Sequence, residues 1–231
     1  MIRGAALALV LAGSPEGASA TITQARFDEP TTRYDHGVLG DEIEYGALVL
    51  TTTRGPLRIR LPEDRVFEDI APRLADLDAD GAPEVIVVET DIERGARLSV
   101  YGEDGLIAAT PYIGTRHRWL APVGAADVDG DGRAEIAYVE TPHLGKILKV
   151  VRLEGDRLLP VAQTSGMTNH RIGDAFIQGG IALCGGRLVF LTADADWSRV
   201  MATELVEGRL RSHSIGTYRG AESLEGPQGC S

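Results

Sequence analysis

Asp76-Leu77-Asp78-Ala79-Asp80-Gly81-Ala82-Pro83-Glu84-Val85-Ile86-Val87-Val88 returns 51 residues later, almost position for position, as Asp127-Val128-Asp129-Gly130-Asp131-Gly132-Arg133-Ala134-Glu135-Ile136-Ala137-Tyr138-Val139. Each copy carries Asp at its first, third and fifth positions, Gly at its sixth and Glu at its ninth, and then runs straight into an apolar stretch. A spacing of this size implies a stack of like units rather than a single irregular core. Two further apolar runs follow each copy, at 97–101 and 106–110 after the first and at 146–153 and 157–162 after the second. They are rich in Val, Ile and Leu and are separated by Gly102-Glu103-Asp104-Gly105 and Glu154-Gly155-Asp156. These are strand and hairpin signals. No segment sustains a helical period.

Each unit is therefore expected to be a four-strand meander, the blade of a β-propeller, with the Asp loop between its first and second strands. Weaker copies flank the pair. Strands are expected at 40–53 and 56–62 before it, and at 187–192, 200–206 and 209–215 after it, and His170-Arg171-Ile172-Gly173-Asp174 echoes His36–Asp41. The expected fold is all-β: a small propeller of four four-stranded blades between residues 34 and 216, with five blades or an open array as alternatives. Residues 22–27 are expected as an outer strand that closes the ring with the last blade.

The residue types in the loops point to a hard cation. Ca²⁺ takes six to eight oxygens at roughly 2.3–2.6 Å, and alternate carboxylates on a tight turn supply them from one side. Gly81 and Gly132 let the backbone pass the ion without a Cβ. Glu84 and Glu135 close the shell from the start of the next strand. An EF-hand would need its acid at the twelfth position, where Val87 and Tyr138 stand. The expected ligands are Asp76, Asp78, Asp80 and Glu84 in the first loop and Asp127, Asp129, Asp131 and Glu135 in the second, for up to two structural Ca²⁺ ions.

Two such loops, each leading into an apolar strand, resemble the FG-GAP repeat of the integrin alpha N-terminal propeller and the related VCBS-type repeats. The resemblance spans about residues 30–216 and is strong over 73–162. It implies a β-propeller with calcium in the loop between the first two strands of a blade, at the eight acids just named. The family more often has Asp where Glu84 and Glu135 stand. Asp41-Glu42-Ile43-Glu44 and Asp174-Ala175-Phe176 are incomplete as loops and are assigned no metal.

The termini and the charge bound the setting. Arg3, the apolar stretch 5–12 and Ala18-Ser19-Ala20 form a secretory signal pattern, with cleavage expected after Ala20. Residues 21–231 are then one domain with a short C-terminal tail, in the periplasm or secreted. No later stretch is long enough to span a bilayer as a helix. In an oxidising compartment Cys184 and Cys230 are expected to pair, which would tie down the tail. A formal charge of −11 argues against nucleic acid or an anionic membrane as the partner.

If the Asp loops occupy one edge of the array, the other connections occupy the opposite edge. Those connections hold four of the five histidines and both tryptophans; His213 lies elsewhere. The ligand candidates on this edge are His36, Arg116, Arg118, Trp119, His143, His170, Arg171, Asp194 and Trp197. Arg suits carboxylate or phosphate and Trp suits sugar or cation faces. The expected partner is a protein, a glycan or a small anionic ligand. His143 and His170 with Asp194 could serve as acid–base groups, but there is no nucleophile elbow, zinc-type His pair or phosphate loop. A binding or interaction module is thus favoured over a hydrolase or lyase acting on the His/Arg/Trp edge.

Overall fold

The computed structural model describes residues 20–225 and Cys230. The expected leader lies, except for Ala20, outside the described residues. The chain is built from antiparallel strands with one short C-terminal helix, α1 (Glu222–Glu225).

The first Asp-loop unit consists of β5 (Arg73–Ala75), β6 (Glu84–Asp91), β7 (Gly95–Gly102) and β8 (Gly105–Ala109). The second consists of β9 (Leu120–Ala126), β10 (Glu135–Glu140), β11 (Ile147–Glu154) and β12 (Arg157–Ser165), paired in the order 12-11-10-9. A third meander, β14 (Gly180–Cys184), β15 (Arg187–Asp194), β16 (Arg199–Val206) and β17 (Arg209–Thr217), has no Asp loop. Apart from β14, which the sequence reading does not locate, these are the meanders expected from the sequence, and the all-β, propeller-like class is borne out.

The N-terminal unit departs from the expectation. It has three strands, β1 (Ile22–Thr31), β2 (Glu44–Thr52) and β3 (Gly55–Arg60), and it shares one sheet with the first Asp-loop unit through β4 (Arg65–Phe67). β1 pairs along its whole length with β2 and does not close a ring against β17. Loops bridge the first and last units instead. The Gly173 amide donates to the Val38 carbonyl at 3.1 Å. Gly40 lies so close that a Cβ on it would sit 2.7 Å from the Gly173 carbonyl oxygen, and its φ of +92° favours glycine independently.

The units stack face to face, which explains their unbroken apolar strands. Along β6, Val85 and Val87 pack toward Leu48, Leu50 and Phe67, whereas Ile86 and Val88 pack toward Leu98, Trp119 and Ile136. Along β10, Ile136 and Tyr138 face that same layer, and Ala137 and Val139 face Leu148, Val150 and Phe190. Alternation puts successive residues on opposite faces, so a strand buried on both faces must be apolar throughout. The outer face of the last meander is covered by Leu224 of α1 and by Tyr218, Cys184 and Cys230. The expected Cys184–Cys230 disulfide is present.

The inner strands are interrupted, and this positions the candidate site. β4 and β5 lie along the same edge of β6, separated by the detour 68–72. β13 (Met167–Thr168) and β14 lie along β15 in the same way, separated by 169–179. Glu68, Asp69, Asn169 and His170 on these detours are all buried.

Candidate functional site

The two Asp loops share one internal scaffold. In the first, an Asp76 oxygen accepts from the Gly81 amide at 3.0 Å, Asp78 from Asp80 at 3.2 Å, Asp80 from Ala82 at 2.7 Å, and Glu84 from Leu77 at 2.8 Å. In the second, Asp127 accepts from Gly132 at 2.9 Å, Asp129 from Asp131 at 3.2 Å, Asp131 from Arg133 at 3.0 Å, and Glu135 from Val128 at 3.1 Å. Gly81 and Gly132 take φ of +88° and +91°, as the turn requires. The acids at the first, third and ninth positions converge, with ligand atoms within 4.8 Å of one another: Asp76, Asp78 and Glu84, and Asp127, Asp129 and Glu135. Each trio could hold a metal ion. Asp80 and Asp131 lie outside these trios.

The donor sets fit an oxygen-seeking cation: carboxylates alone, at least one oxygen of each already oriented by an amide. Burial raises the pKa of Glu84, and the neighbouring Asp78 and Asp80 charges raise it further. Burial also raises Glu135, but there the Arg152 guanidinium opposes the shift. That difference between the loops is structural: Arg152 donates to Asp129 at 3.0 Å, to Asp131 at 2.7 Å and, through Nε, to Glu135 at 2.8 Å.

On the opposite edge the structure gathers His36, Trp119, His143 and His170 into one cluster. His143 Nε2 and His170 Nδ1 are 2.9 Å apart, and His170 Nε2 is 2.9 Å from the Asp174 carbonyl oxygen. A carbonyl can only accept, so His170 donates from Nε2, and its Nδ1 accepts from His143. A neutral His143 can supply that donor, so neither ring needs a second proton. Burial, with His170 and His36 nearby, depresses the His143 pKa to about 4, and burial lowers His170 as well. The Trp119 ring stacks parallel to His143 and edge-on to His170, and its Nε1 donates to the Glu68 carbonyl at 2.8 Å.

A carboxylate centre adjoins these rings. Glu68 is fully buried and bonds His36 Nδ1 at 2.5 Å and the Thr90 hydroxyl at 2.5 Å. Burial raises its pKa, and the His36 bond opposes this. Glu44, also buried, is pushed up to about 9 by burial and by the Glu68 charge, and its Oε2 has no hydrogen-bond partner. His36 stacks on His117 at 5.0 Å, and Tyr34 packs against both and accepts from the His117 amide.

The other candidates lie at the rim of this cluster or beyond it. Arg116 is at the rim, paired with Asp35 at 2.9 Å and Glu93 at 3.2 Å. Asp35, held by His117 and Arg116, has its pKa lowered to about 2. Arg118 contributes its carbonyl, which accepts from Ala96. Arg171 stacks over Trp197 at 4.5 Å and over Tyr218 at 5.5 Å. Asp194 caps its own turn through the Ser198 and Arg199 amides at 2.7 and 2.9 Å; the expected grouping with His143 and His170 does not form. Tyr34, Glu44, Glu68 and His117 also belong to the cluster; Tyr34, Glu68 and His117 lie on the connections that the sequence assigns to this edge but were not among its candidates, and Glu44 was not placed there at all. The signal available was the acidic pair Glu68-Asp69 just after the apolar Val66-Phe67.

The sequence model of the FG-GAP-like repeat family matches residues 76–138, from the first Asp loop into β10. The matched stretch is thus an FG-GAP-like repeat, set in an all-β, propeller-like architecture. No curated protein matches it.

Proposed function

We propose that the chain is an interaction module that works outside the cytoplasm, braced by Ca²⁺ at its Asp edge, and that its histidine edge receives a protein partner. One observation carries the choice of edge. Of the eight large apolar side chains exposed on the described surface, five stand on the loops that build this edge: Ile43, Ile70, Leu144, Ile172 and Phe176. Apolar groups held in water on converging loops mark a surface that gains free energy when a partner covers it. The disulfide and the signal pattern support the extracytoplasmic setting. The scaffolded carboxylate trios support calcium.

The test is affinity capture from an extracytoplasmic fraction with the wild-type chain and with an Ile172→Ser, Phe176→Ser variant. The expected result is a partner retained by the wild type and lost by the variant, with coincident thermal melts. Equal capture by both would remove the histidine edge from the proposal. A second reading, a hydrolase or lyase, draws on the His143–His170 contact at 2.9 Å beside buried Glu68. Turnover of an ester, glycoside or phosphate substrate that vanishes in His143→Asn would favour it, and equal rates would dismiss it.

A further inference from the structure

The two Asp loops differ in what stands across the hairpin from the closing glutamate. In the second unit the β10–β11 register sets Arg152 opposite Glu135. In the first, Val85 pairs with Tyr101 across β6–β7, so the residue one step on, opposite Glu84, is Gly102. The consequence is visible atom by atom. The backbone amides take one oxygen from each acid in both loops, except that they take both oxygens of Asp127. The oxygens left over in the second loop, Asp129 Oδ2, Asp131 Oδ2 and Glu135 Oε1, are all bonded by Arg152. Among the described residues, no Lys, Arg or His makes a salt bridge to Asp76, Asp78, Asp80 or Glu84.

We propose that Arg152 is the resident cation of the second loop, so that Ca²⁺ enters the first loop alone. This rests on the calcium reading for the first loop. The guanidinium brings a fixed positive charge and five donors in a plane, a good match to several carboxylates at once. It is nearly buried, at 9% exposure. A Ca²⁺ ion entering there would have to displace Arg152 and leave a guanidinium buried without its anions, which opposes binding. In the first loop nothing has to be displaced, and the uncompensated carboxylates attract the ion more strongly. The second unit therefore has its brace built into the chain, and the first depends on the calcium concentration around it.

Calcium titration by calorimetry tests this. The wild type is expected to take one Ca²⁺, lost in Asp78→Asn and retained in Asp129→Asn, and Arg152→Gly is expected to take two. The reverse change, Gly102→Arg, should abolish the wild-type site; its Cβ would meet only the flexible end of Ile107, at 2.8 Å. Two ions in the wild type, or one that Asp129→Asn removes, would overturn the proposal. If the wild type takes none, the calcium reading of the first loop fails, and Arg152→Gly then decides the inference alone: one gained site upholds it and none overturns it. Amide resonances of the wild type test the same assignment without a substitution. Added Ca²⁺ should move Gly81 and leave Gly132 in place, and movement of both would refute the assignment.

Discussion

The two edges of the array are held together in different ways. At the Asp edge, each carboxylate reaches an amide within seven residues of its own position, as in Asp76 to Gly81 and Glu84 to Leu77. At the histidine edge the contacts join distant segments: His36 with Glu68, Trp119 with Glu68, His117 with Tyr34, and His143 with His170. The first edge is a set of local turns that a short peptide specifies. The second exists only when five loops from across the array arrive together. Damage to the Asp edge should therefore loosen one unit, whereas damage to the histidine edge should be felt across the array.

The sharpest way to break this comparison is Trp119→Ala. The indole is 2% exposed, packs against core residues of both Asp-loop units and donates to Glu68. Its removal is expected to cost about 3–5 kcal/mol, measured by denaturant unfolding. The same change at the half-buried Trp197, stacked with Arg171 and Tyr218, should cost only about 1 kcal/mol, the scale of a solvated cation–π contact. Equal losses would mean that the histidine edge is no more integrated than its rim.

Next comes removal of the ion. With Ca²⁺ at about a hundredfold over its dissociation constant, binding adds about 2.7 kcal/mol. EDTA should therefore lower the melting temperature by several degrees in the wild type and change it little in Asp78→Asn. A wild-type melt indifferent to EDTA would make the Asp edge a set of solvated turns.

Acid should act on the other edge. His143 titrates at about 4 when folded and near 6.5 when unfolded. The unfolded chain thus binds the extra proton first, and stability falls as pH drops from about 6.5 through about 4. His143→Asn should flatten that part of the stability curve, and an unchanged slope would show that the ring is not held neutral. The smallest effect is expected from Ala79→Gly. Ala79 holds φ at +65°, where the second loop has Gly130 at +81°. Relief of this strain should add about 0.5–1 kcal/mol, read as a rise in the calcium-free melting temperature.

Much of the architecture was legible in the chain. The doubled Asp loop marked the boundary between first and second strands in two units, and the apolar runs around it located their meanders. The disulfide followed from an even cysteine count in a chain with a signal pattern. The N-terminal unit was misread because β4 joins it to the next unit: a three-residue strand leaves no period to detect. The candidate edge was only partly legible. Sorting connections by blade register put His36, Trp119, His143 and His170 on one side, and they do meet. The same sorting also put Asp194 there, where it caps its own turn, because register tells which edge a loop occupies and not where its side chain points.

By itself the sequence determined whatever depends on neighbours along the chain: the turn that gathers Asp76, Asp78 and Glu84, the glycines that allow it, and the alternation that buries β6 and β10 on both faces. Tertiary structure decided whatever depends on which segments come to lie side by side. Detours in the inner strands carry Glu68 and His170 inward, and Glu44 is left neutral against Glu68. Strand register sets Arg152 across from Glu135 and Gly102 across from Glu84. The Asp loops are alike because local sequence builds them, and they differ in charge because each faces a different partner strand.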